Sequence, residues 1–253
     1  MIRNYLPSFI LLLVFLTGWE AMVRFTEISS LVVPPPSAVF SVLWDGFTTG
    51  FLWKHVWVTS ATTVIGFLLG CVIGFVCGVI LGEIEPLRRL FWPYILAMQV
   101  VPKLALAPIF IIWFGFGMKP TVIITALICF FPLLENTMVA LDSVTSEKRQ
   151  LFRMLGAGRW KTLIHLQIPS GLPVILAGVR VAIVLALVGA VVGEFVTGSE
   201  GLGASIIAAQ GMMDSSLIFA LLITITALGL LLYQLVLFFE YWLLSRRVKG
   251  KIH

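Results

Sequence analysis

Charge is scarce in this chain. Only 11% of its 253 residues are Asp, Glu, Lys or Arg, where a soluble domain carries about 25%. No polar stretch is long enough to fold as a soluble domain of its own, so residues 1–253 read as a single membrane domain. Cysteine is nearly absent. Cys71, Cys77 and Cys129 sit in apolar runs without CxxC spacing, which reads as small buried hydrophobes rather than a redox or metal centre. There is no GxxxxGK[ST] to cradle a nucleotide phosphate, and no HExxH or GxSxG. Ser170 and Ser205 have no evident histidine partner. These absences argue against an enzyme and predict neither a metal nor a cofactor bound by this chain.

What is present is apolar sequence: 60% hydrophobic residues and a mean hydropathy of +1.07. The net charge of +5 raises the question of nucleic acid, but its distribution fits membrane orientation and predicts no nucleic-acid partner. The spacing predicts about six membrane-spanning helices, an all-α membrane protein. The first is Leu6 to Met22, about 17 residues and near the lower limit for a span. A signal peptide is the competing reading, but no small-x-small cleavage site follows cleanly. From Phe25 to Trp57 runs an amphipathic connection with the stiff segment Pro34-Pro35-Pro36 and a helix after Ser37. We read that helix as a packing element at the interface, where Trp44, Trp53 and Trp57 suit the headgroup region.

The second span is Thr59 to Leu81. Gly66, Gly70, Gly74, Gly78 and Gly82 recur every fourth residue along it. Glycine costs helix propensity, so five in register predict close backbone contact with another helix. The third span, about Leu90 to Ile112, is interrupted by Pro102, Lys103 and Pro108, and predicts a kinked or broken helix. The fourth is about Thr121 to Val139, with Pro132, Glu135 and Asn136 near one end. The fifth is about Leu172 to Val196, with Arg180 and Glu194. Residues 198–214 read as a loop, and the sixth span as about Leu217 to Leu244, followed by a basic tail.

With both termini inside, twelve cations lie on the inner side: Arg3, Arg88, Arg89, Lys148, Arg149, Arg153, Arg159, Lys161, Arg246, Arg247, Lys249 and Lys251. Arg24, Lys54 and Lys119 are the three on the outer side. The positive-inside rule therefore predicts cytoplasmic termini. Intramembrane charge is costly and marks pathways or partners. Gln99, Lys103, Glu135, Arg180 and Glu194 are accordingly candidates for a translocation pathway. The structural alternatives are a pairing of Arg180 with Glu135 or a backbone carbonyl, a satisfied structural acid at Glu194, and a snorkelling Lys103.

The long polar interruption, Ser143 to Pro173, is the most informative stretch. Thr145 or Ser146 can cap a helix carrying Leu151, Phe152 and Leu155, and Gly156-Ala157-Gly158 breaks it. A second short helix from Arg159 to about Leu166 carries Trp160, and Pro169 and Pro173 are expected to stop it. Arg153, Arg159 and Lys161 surround an apolar patch that a loop in water would not need.

Leu155-Gly156-Ala157 followed by Ile168-Pro169 and Leu172-Pro173 resembles the coupling loop of bacterial ABC-importer permeases. The Glu-Ala-Ala that opens the family's motif is replaced here by Gln150-Leu151-Phe152. Val33-Pro34-Pro35-Pro36, Ala107-Pro108, Trp113-Phe114-Gly115, Gly193-Glu194 and Gly201-Leu202-Gly203 look like the subfamily importing nitrate, sulfonates, taurine or thiamine-precursor pyrimidines. The resemblance implies a type I importer permease in a bacterial inner membrane, with a coupling loop over about residues 143–170. It implies Arg153, Leu155, Gly156, Ala157, Arg159, Trp160 and Lys161 as the surface that meets an ATPase. It also implies the partners: a second permease copy, two cytoplasmic ATPase subunits that bind the ATP, and an extracytoplasmic substrate-binding protein. A self-sufficient secondary transporter or channel is the alternative. Its usual paired interrupted helices are not seen, since the broken third span has no counterpart three spans later.

Overall fold

A computed structural model describes residues 2–26, 29, 31–198 and 200–249. Among these residues every regular element is helical. The order is α1 (Ile2–Phe25), α2 (Pro36–Thr48), α3 (Phe51–Glu83), α4 (Glu85–Val100), a 3₁₀ turn (Lys103–Leu106), α5 (Ala107–Phe114), α6 (Met118–Asp142), α7 (Ser146–Met154), α8 (Arg159–Thr162), a π turn (Leu163–Gln167), α9 (Ile168–Thr197), α10 (Leu202–Gly211) and α11 (Ser215–Lys249). Of the cations counted toward orientation, Lys251 lies outside the described residues, as do the side chains of Arg3, Arg246, Arg247 and Lys249.

Among the described residues, four helices are long and apolar enough to cross a membrane: α3, α6, the continuous α8–α9 rod and α11. The pair of α4 and the 3₁₀–α5 segment makes a fifth if taken as one broken span. The predicted first span lies within α1, whose first side chains are outside the described residues.

α6 is the centre of the fold, held between α3 and α9. The glycine stripe of α3 faces α6. A Cβ on Gly66 would stand 2.5 Å from Thr125, on Gly74 2.5 Å from the Phe130 carbonyl oxygen, on Gly78 2.7 Å from Thr137 and on Gly82 2.7 Å from Leu141. On Gly70 it would collide with the Ala126 carbonyl. α9 presents a second small-residue face to an adjacent side of α6, and the two faces meet at Thr125. There Gly171 meets Ala140, Gly178 meets Asn136, Gly189 meets Thr125 and Ile128, and Gly193 meets Thr121. Backbones approach this closely only where side chains are absent, and in a bilayer such contact supplies the packing that the hydrophobic effect cannot.

Around this three-helix centre, the buried residues Leu52, Ile183, Leu187, Val191, Leu202, Leu221, Leu228 and Leu232 join α3, α9, α10 and α11. The first helix is tied in by its own acid. Glu20 accepts hydrogen bonds from the Ser37 backbone N–H at 3.0 Å and its hydroxyl at 2.8 Å, so α1 caps the N-terminus of α2.

Several boundaries differ from the sequence reading. Trp53 and Trp57 belong to α3, which starts at Phe51 rather than near Thr59. The third span, expected to be kinked or broken, is broken, with an 84° bend between α4 and the 3₁₀–α5 segment. Residues 198–214, read as a loop, contain the ten-residue α10. Pro169 and Pro173 do not stop the second helix of the polar stretch. Arg159 to Thr197 runs on as one rod, with Pro169 directly after a π turn at Leu163–Gln167 and Pro173 inside α9. The widened turn absorbs the misfit at Pro169.

Candidate functional site

Three places collect the polar and charged residues singled out in the sequence. The first is the polar stretch between α6 and α9. α7 ends in a Schellman motif: the Ala157 N–H donates to the Phe152 carbonyl at 2.9 Å, and the Gly156 N–H to Arg153 at 3.0 Å. Gly156 has φ of +72°, which explains why glycine stands there. Thr145 occupies the N-cap position of α7 but makes no side-chain capping bond. Glu147 has its carboxyl held below the usual carboxylate range by its own backbone N–H and by the Thr145 and Ser146 hydroxyls.

Around this turn Met154, Leu155 and Trp160 are 78%, 73% and 75% exposed, and Leu151 is also exposed. Arg153, Arg159 and Lys161 are exposed with them and have no salt-bridge partner among the described residues. Ala157 is half-buried. Arg149 is different: its guanidinium reaches back to the Leu141 carbonyl at the end of α6. Arg88 pairs with Asp142 at 2.7 Å at the same end. These two cations tether α7 and α4 to α6, and the others remain available to a partner. Trp160 and Arg159 also border a cavity of about 250 Å³ with Val79, Ile80, Glu83 and Ile84 at the end of α3.

The second place is the opposite end of the bundle. Glu194 is buried, and its Oε2 accepts from the Thr59 hydroxyl at 3.0 Å and from the Gly203 N–H at 2.8 Å. Thr59 Oγ1 also accepts the Leu202 N–H at 2.8 Å, and His55 Nδ1 accepts the Gly201 N–H at 3.2 Å. Gly201, at φ +108°, leaves room for the carboxylate, which a Cβ there would strike, and a Cβ on Gly203 would strike the Val191 carbonyl and the Glu194 Cβ. α3, α9 and the start of α10 are thereby joined through one carboxylate. Lys54 pairs with Glu200 at 2.8 Å above it, and that hydrogen bond holds the Glu200 carboxyl low.

The third place is the break in the third span. Gln99 Nε2 donates to Glu135 Oε1, joining α4 to α6. Lys103 Nζ donates to the Gln99 carbonyl at 3.2 Å and lies 4.7 Å from the centroid of the Phe131 ring. Gln99, Lys103 and Glu135 therefore form one cluster. Arg180 and Glu194 lie apart from it. Arg180 does not pair with Glu135; its Nε stands 3.2 Å from Glu240 Oε2, linking α9 to α11. Sequence reasoning missed Glu240, although it lies inside the predicted last span and the rule that marked Arg180 and Glu194 applies to it equally.

Comparison with known proteins agrees with this architecture. Residues 70–249 match the family described as "Binding-protein-dependent transport system inner membrane component". The riboflavin transport system permease protein RibX of Chloroflexus aurantiacus is 42% identical over 228 residues, covering 90% of this chain and 84% of that protein. The formylaminopyrimidine transport permease protein ThiX of Halalkalibacterium halodurans is 32% identical, covering 98% and 99%. The taurine permease TauC of Escherichia coli is 27% identical, covering 87% and 82%. Among solved structures, an inward-facing MetNI methionine ABC transporter superposes with a TM-score of 0.62 at 18% identity, covering 75% of this chain and 96% of that one. With its α3–α6–α9 centre, its broken span and its exposed turn between α6 and α9, this chain belongs to the inner membrane components of binding-protein-dependent transport systems, the ABC importer permeases.

Proposed function

We propose that this chain is the subunit that forms the translocation path of an ATP-driven importer for a small solute. It works with a second copy of itself, two cytoplasmic ATPase subunits that bind the ATP, and an extracytoplasmic binding protein. The observation that carries this is the exposed turn at Gly156: an apolar, basic surface held by a Schellman motif and by Arg149, with Met154, Leu155 and Trp160 left largely exposed among the described residues. Such a surface fits a protein partner whose groove receives Leu155 and Trp160 and whose rim is acidic. The rod from Arg159 to Thr197 joins this surface to Arg180 and Glu194, so a displacement at the turn is delivered along α9.

The solute is a small organic molecule. Planar nitrogen heterocycles of the flavin or pyrimidine kind are favoured over nitrate, sulfonates or taurine, because the relatives named for riboflavin and formylaminopyrimidine are more similar than the one named for taurine. The cation distribution supports a cytoplasmic location for both termini and for the Gly156 turn. On a background lacking Cys71, Cys77 and Cys129, a cysteine replacing Met212 should react with an impermeant thiol reagent from outside the cell, and one replacing Met154 should not. The reverse pattern contradicts the orientation.

Purification in mild detergent tests the assembly. An ATPase subunit should co-purify, and uptake into proteoliposomes should require ATP and the binding protein. A chain that purifies without an ATPase and transports without ATP contradicts the proposal in favour of a self-sufficient transporter.

A further inference from the structure

We infer that the break in the third span holds a binding site for a planar heteroaromatic solute bearing a carbonyl or anionic oxygen, with Lys103 as its polar anchor and the Phe130–Phe131 pair as its apolar wall. This rests on the importer reading above and adds a location and a ligand chemistry to it. A cavity of about 520 Å³ opens between α3, α6 and the 3₁₀ turn, within the size range of small-molecule sites. Its lining is apolar, including Leu69, Ile73, Met98, Phe130 and Phe131, with a single cation, Lys103.

An ammonium at bilayer depth needs a partner. The Lys103 ammonium has no carboxylate within ion-pair distance among the described residues. Among the described residues its one hydrogen bond goes to the Gln99 carbonyl, and it rests against the Phe131 ring. Glu135 is the nearby acid of the cluster, and it is engaged by the Gln99 amide instead. Of its three N–H donors, the ammonium thus has capacity left over, and it lies at the edge of a cavity that offers only apolar surface besides. Phe130 and Phe131 stand edge to face with centroids 5.0 Å apart; Phe131 is buried beneath Lys103, and the half-buried Phe130 is the ring that offers surface to a flat solute. The backbone here is irregular, and irregular backbone at membrane depth is tolerated where it lines a cavity rather than lipid. A solute satisfying all of these is flat, largely apolar, and carries an acceptor oxygen at one edge.

Riboflavin is the probe. The intact complex with its ATPase, in nanodiscs without binding protein, is titrated with riboflavin, and binding is read from quenching of flavin fluorescence. Wild-type complex should bind, and Lys103→Met should weaken binding about tenfold or more. Phe130→Ala should also weaken it, while Val72→Ala, on the exposed face of α3, should not. Each variant must retain the ATPase on purification, which keeps a failure of folding or assembly separate from a failure of the site. Wild-type complex that binds no riboflavin, or a Lys103→Met complex that binds it as well as wild type, overturns the inference while leaving the importer reading intact. Quenching that is unaffected by Lys103→Met but abolished by excess phospholipid identifies the cavity as a lipid site, which also overturns it.

Discussion

The Thr59 hydroxyl donates to Glu194 at 3.0 Å and accepts the Leu202 N–H at 2.8 Å, so one side chain on α3 fixes both the acid of α9 and the first turn of α10. Neither contact is made between sequence neighbours. Removing the hydroxyl leaves two buried polar groups short of a partner at once, and an unsatisfied buried group costs roughly 1–3 kcal/mol. Thr59→Val keeps the shape and loses both bonds, so thermal stability in detergent should fall clearly. Thr59→Ser should stay near wild type. If valine and serine behave alike, the network does not hold this end together.

The faces flanking α6 predict an asymmetric response to added volume. Gly74→Ala brings a methyl to 2.5 Å from the Phe130 carbonyl oxygen, part of a backbone that cannot step aside. Overpacking of this kind costs roughly 1–3 kcal/mol, and Gly74→Leu should be worse. The neighbouring Phe75 is half-buried against Leu133, Ala140 and Ile175, so a change there also perturbs packing. Val72, 62% exposed on the same helix, is the suitable control. Val72→Leu should leave the melting temperature unchanged, and equal losses at both positions would remove the close-contact reading.

The Arg180–Glu240 pair predicts a compensating double mutant. Breaking a fully buried pair costs about 3–5 kcal/mol. Arg180 is 37% exposed, so roughly 1–2 kcal/mol is expected for either single change to methionine after allowing for screening. The double variant Arg180→Met with Glu240→Met should recover most of that loss in a thermal-stability cycle. Simple additivity of the two losses would mean that the charges are not coupled.

How much of this was legible in the sequence follows from spacing. The α3 glycines recur at a fixed interval, and a fixed interval is visible without a structure. The α9 glycines that also pack on α6 are separated by seven, eleven and four residues. Each step is close to a whole number of helical turns, but no repeated interval draws attention to them. The break at Pro102 and the turn at Gly156 were readable because proline and glycine act on the local backbone. The partners of Arg180 and Glu194 were not, since Glu240 and Thr59 lie 60 and 135 residues away and only tertiary packing brings them near. α10 was hidden for another reason. Its sequence is small and glycine-rich, and it owes its position to the buried Leu202 and to the Gly203 N–H on Glu194 rather than to helix propensity.

The central claim is that the Gly156 turn transmits ATPase motion to the membrane helices, and Gly156→Asp tests it most directly. At φ +72° an aspartate side chain is strained, and it sets a negative charge beside Arg153 and Arg159 where the partner would approach. The measurement is ATP-driven solute uptake by proteoliposomes, alongside membrane insertion and ATPase co-purification of the same variant. The account predicts normal insertion, weakened co-purification and loss of uptake. A Gly156→Asp protein that binds its ATPase with wild-type strength and still transports would contradict it.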